Sequence, residues 1–231
     1  MSVNDLPSHP VITIDGPAAS GKSSVARLVA ARLGFIYVNT GNMYRAMSWA
    51  VLDAGIDATD AAAVRDFAAR VAVESMVREG RTLVGIGGRE LSDEDLNSDA
   101  VNGAVSHVAS VAEVRAALVA AQRDLQKLKG LVMEGRDIGS VVFPESPFKF
   151  YIDACEAVRS ARRQAQGHGD QVAERDRIDS TRKTSPLVVP EGAEVIDNSY
   201  LTLEQAVELV MEGLQQRGLN VAVEGAIGGV S

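Results

Sequence analysis

The sequence predicts an α/β fold, a mostly parallel sheet covered by helices on both faces. Three observations lead there. Short apolar runs alternate along the chain with longer stretches whose apolar residues recur at helical spacing. The first run, "VITID", leads directly into "GPAASGKSS" and then a helical pattern, a strand–turn–helix unit. Charged residues gather just past another buried run, in "LVMEGRD", and the carboxyl edge of a parallel sheet is where ligands sit.

The elements follow in order. Val11–Asp15 is apolar and ends at a glycine, as a buried strand does. From Gly21 onward Val25, Leu28, Val29 and Leu33 share a helix face, and Gly34 stops the helix. "FIYVNT" is a second strand, residues 41–53 a helix ended by Gly55, and residues 61–71 an Ala-rich helix. The texture then changes: "VAVESMV" and "RTLVGIGGREL" read as strands around the turn "REG", hairpin material in an otherwise α/β chain. Residues 93–128 return to helices, with Val108, Val111, Val114, Leu118 and Leu125 on the apolar stripe. "GLVMEG" and "FKFYID" add strands, residues 156–166 a helix, "GHGD" a flexible break and residues 171–183 another helix. "AEVIDNS" is the last strand and residues 202–216 an amphipathic last helix. The final "NVAVEGAIGGVS" shows no pairing pattern and is expected to fray.

At 231 residues the chain can bury one sizeable core. Aromatics are 4%, so Ala, Val, Leu and Ile must fill it. Cys155 is the one cysteine, which excludes an intrachain disulfide, and it reads as a small packed residue. His9, His107 and His168 are scattered, against a histidine-based mechanism or a zinc site. A net charge of −8 argues against nonspecific nucleic-acid or membrane binding. No apolar run approaches the ~20 residues that span a bilayer, and "MSVNDLPSHP" lacks a signal-peptide pattern, so a cytoplasmic monomer is expected. Of 23 basic residues 18 are Arg, which suits bidentate phosphate contacts, although base composition would favour Arg equally.

Gly16, Pro17, Ala18, Ala19, Ser20, Gly21, Lys22 and Ser23 match G-x-x-x-x-G-K-[ST]. Such a turn points backbone N–H groups at phosphate oxygens, and the following helix aims its positive end at the same place. Lys22 reaches the β and γ phosphates and the Ser23 hydroxyl takes a Mg2+ position, so the chain is expected to bind ATP with Mg2+. The D-x-x-G and N-K-x-D strings of a GTPase do not occur. "NTGNMYRA" brings Thr40, Tyr44 and Arg45 to the same sheet edge, where Arg45 could clamp a phosphate and Thr40 donate to a base or phosphate. "EGRD" adds Glu134, Arg136 and Asp137. Arg115, on its own, reads as a surface charge on an amphipathic helix. Arg159, Arg162, Arg163, Arg175, Arg177 and Arg182 lie on two helices around the Gly-containing break, either a lid closing on phosphates or a salt-bridged hairpin. The residues alone leave open a small-molecule kinase and an ATP-dependent switch.

With "ITIDGPAASGKSS", "NTGNMYRA", "EVRAALVAAQR", "EGRDIGSVVFPES" and "ERDRIDSTRKTSPL" in that order, the chain resembles the bacterial cytidylate kinases over about residues 10–217. The resemblance implies a three-layer P-loop NTPase fold over residues 11–217. A nucleotide-monophosphate-binding insert would span about 60–110 with a small antiparallel sheet, and a helical lid about 160–184. Residues 1–10 and 218–231 would be flexible tails. It implies transfer of the γ-phosphoryl group of ATP to CMP or dCMP. Tyr44, Arg45, Arg136 and Arg182 would hold the CMP phosphate. Ser106, Arg115 and Asp137 would face cytosine, and Arg175 and Asp179 the ribose, with Thr40 beside them. Gly16 to Ser24, with Arg162 and Arg163, would hold ATP. Lys22, Arg136, Arg175 and Arg182 would act in catalysis. Thr40 stands where Ser is frequent and Glu134 where Asp is. Ser23 and Ser24 replace a Gly-Thr pair common in relatives, which leaves both hydroxyls as candidates for Mg2+.

Overall fold

A computed structural model of the chain describes residues 9–165, 172–181 and 185–219, with backbone alone at residues 172–176. Strand β1 (Val11–Asp15) is wholly buried and lies at the heart of one sheet. It pairs in parallel with β6 (Leu131–Gly135) on one side and β7 (Phe148–Asp153) on the other. Beyond β6 runs β2 (Ile36–Asn39), and beyond β7 runs β8 (Glu194–Asp197), both parallel. All five strands deliver their carboxyl ends to one edge.

Alternation along β1 separates two cores. Ile12 and Ile14 pack with Val25 and Val29 of α1 (Lys22–Leu33) and with Val207, Val210 and Leu214 of α9 (Leu203–Gln216). Val11 turns to the other face, with Val38, Met133, Ile138 and Phe143. Asp15 and Thr13 share that second face by the same period. Helix α1 starts one residue later than expected, with Gly21 as its left-handed N-cap, and ends at a left-handed Gly34, the stop that the sequence predicts.

A third core lies among the helices that flank and follow the antiparallel ribbon. Helices α2 (Thr40–Asp53), α3 (Ala61–Ala68), α5 (Asp99–Val108) and α6 (Ala112–Asp124) pack Met47, Val51, Val64, Val108, Val114 and Leu118 together. The expected hairpin is β3 (Val73–Arg78) with β4 (Arg81–Ile86), and β5 (Arg89–Glu90) pairs β4 from the other side. This antiparallel ribbon is not a separate sheet: β4 meets β2 at Tyr37 and Arg81, extending the central sheet at its edge. The helical region 93–128 is broken by caps. Ser92 and Asp95 form a capping box opening α4 (Asp93–Asn97), and the Ser98 hydroxyl caps α5. Helices α5 and α6 then meet at 99°.

Several boundaries differ from expectation. Helix α2 begins at Thr40 because the Asn39 side chain accepts from Asn42 N at 3.3 Å. Helix α3 stops at Ala68, where Arg70 N donates to Phe67 O and tightens the last turn. A π-helical turn, Ile138–Val142, follows β6 where no element was expected. Residues at both ends of the described chain make contacts. His9 O accepts from Gln126 Nε2 and Pro10 O from Leu131 N, while Leu219 is buried in the first core. Residues 1–8 and 220–231 lie outside the described residues. Cys155, expected to be packed, is exposed. Among the described residues no single helix is long and apolar enough to cross a membrane.

Candidate active site

The turn between β1 and α1 is built on two glycines with no space for a side chain. A Cβ on Gly16, at φ +154°, would lie 2.1 Å from Ile152 O; one on Gly21, at φ +94°, would lie 2.4 Å from Asn198 Nδ2. Ala19 takes the left-handed region without being glycine, at φ 57°. Lys22 curls back over the turn and donates to Pro17 O at 3.0 Å. Side chains from elsewhere in the fold hold the turn through its carbonyls. Asn198 Nδ2 donates to Ser20 O at 2.7 Å, Arg162 Nη1 to the same oxygen at 3.1 Å, and Arg159 Nη1 to Ala18 O at 3.3 Å. Both arginines come from α7 (Glu156–Ala165).

The turn forms one wall of a cavity of about 940 Å³ at the carboxyl edge of the sheet. The opposite wall collects the other predicted residues. Thr40, Tyr44 and Arg45 come from α2, Ser106 from α5, Arg115 from α6, and Arg136 and Asp137 from the end of β6. Asp179 arrives from α8 (Val172–Thr181), while α7 brings Arg162, which also bonds the turn, and Arg163 to the cavity. Ala18, Ala19, Gly21, Lys22, Ser23 and Ser24 face the cavity, whereas Gly16, Pro17 and Ser20 shape the turn from behind. The Arg175 side chain and Arg182 lie outside the described residues.

Within this wall the charges are ordered. Arg115 is no surface charge: it is 4% exposed and pairs with Asp137, itself 3% exposed. Its other nitrogen, Nη1, donates to Ala109 O at 3.1 Å, and its guanidinium lies 5.2 Å from the Tyr44 ring centroid. Tyr44, Ala109 and Asp137 close around it, which helical periodicity alone could not reveal. Arg136 links both walls, with Nε on Asp179 Oδ2 and Nη1 on Gly16 O, each at 2.7 Å. The Thr40 hydroxyl, at the cavity lining, donates to Glu134 O at 2.8 Å.

Glu134 is 3% exposed, and its Oε1 accepts from Ser23 Oγ at 2.8 Å and Tyr37 OH at 3.3 Å. Burial and the nearby Glu134 charge push the Tyr37 hydroxyl well above its ordinary pKa, so it stays a donor. A hydroxyl and a carboxylate at the foot of a phosphate cradle are the hard oxygen donors that Mg2+ takes, together with waters and substrate phosphates. The pair fits that ion, and of the two hydroxyls it is that of Ser23 that joins the carboxylate. Among the described residues no cluster of three or more His, Cys, Asp or Glu could hold a metal by protein groups alone.

Two further polar residues belong to the site. Asn198, at the end of the run "AEVIDNS", is a polar residue just past a parallel strand. Asp15 ends the apolar run "VITID". It is fully buried, accepts from Ile138 N and Gly139 N at 2.7 Å each, and is pushed up to about 7. Loss of hydration is the main cause and the Asp137 charge adds to it, against the two N–H groups and Lys22.

A sequence model of a family described as cytidylate kinase matches residues 12–216. The chain is 41% identical over 216 residues to a cytidylate kinase of Pelotomaculum thermopropionicum, covering 88% of this chain and 95% of that one. It is 42% identical over 214 residues to a cytidylate kinase of Bdellovibrio bacteriovorus, covering 90% and 98%. Among solved structures, a gluconokinase from Sinorhizobium meliloti 1021 superposes with a TM-score of 0.49 at 15% identity, covering 90% of this chain and 93% of that one.

Proposed function

The chain belongs to the cytidylate kinase family and is an ATP-dependent phosphotransferase, and we propose that its cavity passes the γ-phosphoryl group of ATP to CMP or dCMP. One observation carries the reading. A backbone phosphate cradle and an arginine wall open into the same cavity, and Arg136 touches both through Gly16 O and Asp179.

In this reading the N–H groups of residues 18–23 and the positive end of α1 hold the β and γ phosphates. Lys22 swings from Pro17 O to the transferring group. Arg45 and Arg136, with Arg182, hold the acceptor phosphate, and Tyr44 packs beside it. Ser106, Arg115 and Asp137 form the base pocket, with the Arg115–Asp137 pair offering donors and acceptors in fixed places. Asp179 and Arg175 approach the ribose. When bound at Ser23 and Glu134, Mg2+ would neutralise part of the phosphate charge.

No general base is required, because a phosphate oxygen of CMP is already a nucleophile. The residues contribute position and charge. Lys22 and Arg136 spread the charge on the transferring group, while Arg162 and Arg163, closing from α7, keep water out. The acidic surface and the enclosed arginines are compatible with a cytoplasmic enzyme of pyrimidine nucleotide metabolism.

The test is ADP release from Mg·ATP with CMP, dCMP, UMP, AMP, dTMP and shikimate supplied one at a time. Fast release with CMP and dCMP alone is expected. Fast release with another acceptor would discard the base pocket, and no acceptor-dependent release from folded, ATP-binding protein would overturn the reading.

A further inference from the structure

Asp15 takes no part in the transfer just described, yet its carboxylate sits at the seam between the two half-sites. It is the last residue of β1 and its side chain is fully buried. Its two oxygens are taken separately, Oδ1 by Ile138 N and Oδ2 by Gly139 N, each at 2.7 Å. These are the first two N–H groups of the π-helical turn, which point along no strand and need an acceptor. Beside them Arg136 Nη1 donates to Gly16 O at 2.7 Å. Three bonds therefore stitch residues 136–139 to Asp15 and Gly16. On one side of the seam the phosphate cradle begins; on the other stand Arg136 and Asp137. The fit is close, since a Cβ on Gly139 would lie 2.7 Å from Thr13 Oγ1 and 3.2 Å from Asp15 Oδ2. The far end of the turn is gripped as well, by Arg123 Nε on Val142 O at 2.8 Å and Nη2 on Val141 O at 2.9 Å. The turn is thus a block, and Asp15 is what sets that block against the cradle.

We propose that Asp15 is a positioning residue for phosphoryl transfer: its ionised carboxylate, by holding Ile138 N–H and Gly139 N–H, fixes Arg136 and Asp137 at their working distance from the phosphate cradle, and its protonation slows the transfer. The proposal rests on the kinase reading above. Protonation turns one acceptor oxygen into an O–H facing an N–H group, so one of the two bonds is lost and the seam loosens. A misplacement of about 1 Å costs transfer on the order of 10²-fold. The carboxyl titrates close to neutrality, at about 7, so both forms exist in ordinary buffers. The charged and titratable groups around it are Asp137 and Arg136 on the turn's approach, Lys22 on α1, and Tyr151, in register with Asp15 on β7. Glu134 of β6 pairs with Ile14 and so lies on the opposite face of the sheet.

The test compares kcat against pH for wild type, Asp15→Asn and Arg123→Gln. Asp15→Asn keeps the shape but cannot accept two N–H bonds. Its kcat should fall on the order of 10²-fold, with KM values for ATP and CMP changed far less. Its profile should lose the step near neutrality and retain only the lower one from the nucleotides' own phosphates, whose second pKa is about 6. Arg123→Gln, which loosens the far end of the turn, should keep the wild-type midpoint. Parallel profiles for wild type and Asp15→Asn would overturn the proposal, as would an equal shift in Arg123→Gln. Should Asp15→Asn fail to fold, wild-type protein labelled with 13C at its aspartate carboxyls decides. One aspartate must titrate between about pH 6 and 8 with the midpoint of kcat, and none doing so would refute the role. ADP release by wild type with CMP tests the acceptor assignment separately, because the carboxyl titration needs no nucleotide.

Discussion

Replacing Arg115 by Met should cost the fold about 3–5 kcal/mol, the loss expected when one partner of a buried ion pair is removed. The structure supplies the reason. The two side chains are 4% and 5% exposed, so the Asp137 carboxylate that is left behind keeps little access to water. Met keeps an apolar stem of similar length but removes the charge, the guanidinium over the Tyr44 ring and the bond to Ala109 O. At about 1.4 kcal/mol per decade, the ratio of folded to unfolded protein should drop by roughly two to three and a half decades. The pair of Arg32 with Glu204 and Glu208 is the contrast. Its glutamates are 67% and 55% exposed, and Arg32→Met should cost no more than about 1 kcal/mol. Urea unfolding reads both, as a shift in midpoint at constant slope. A double-mutant cycle completes the case. Arg115→Met with Asp137→Leu should recover most of the loss, because an apolar pair needs no hydration, and the coupling should be several kcal/mol. The recovered protein should still fail to prefer CMP over UMP. Additive single effects, or an Arg115→Met cost below about 1 kcal/mol, would refute a buried and mutually dependent pair.

Three further predictions follow from the site. Lys22→Ala should lower kcat on the order of 10²–10³-fold with an unchanged thermal midpoint; normal turnover would remove Lys22 from the mechanism. Gly21→Ala places a methyl 2.4 Å from Asn198 Nδ2 at φ +94°. It should weaken ATP binding measured by calorimetry and cost about 1–3 kcal/mol of stability, and Asn198→Ala should relieve the clash but not the backbone strain. The third concerns pH. The folded Asp15 carboxyl is raised from 3.8 to about 7, so the native state binds the extra proton between those values. Its contribution is full below about pH 4 and is lost as pH rises through 7, on the order of 4 kcal/mol in all. Asp57, Asp95 and Asp197 act oppositely: their carboxyls are lowered by hydrogen bonds from Thr59, Ser92 and Ser199, so their contribution is lost as pH falls below about 4. Urea midpoints of nucleotide-free protein should therefore decline from about pH 4.5 to 7.5, and Asp15→Asn should flatten that decline. An unchanged slope in the variant would show that another group titrates.

Which parts of this site were legible in the sequence follows from how far each partner is along the chain. The cradle is legible because a strand, a glycine turn and a helix are consecutive, and Gly34 takes the left-handed conformation of a helix stop. Arg136 and Asp137 were legible by one step more. A parallel sheet gathers its strand ends on one edge, which turns a long-range contact into the local statement that a charge follows an apolar run. Asn198 obeys the same rule after β8. It was missed because "EVID" carries too little apolar weight to mark the edge: Glu194 and Asp197 surround one buried Ile196. Arg115 lies outside the rule altogether. Its helix is amphipathic by spacing, and whether Arg115 meets water depends on Tyr44, Ala109 and Asp137 being brought to it, which no period along α6 records. Asp15 is the instructive intermediate. Alternation with Ile12 and Ile14 assigns its face, and an acid facing inward must find partners or stay protonated. Those partners are two N–H groups more than a hundred residues later, in a π-helical turn whose five residues have no spacing signature of their own. A buried acid at the end of an apolar strand is thus itself the signal: it says that a donor pair exists and on which face to look, before the fold says where the chain supplies it.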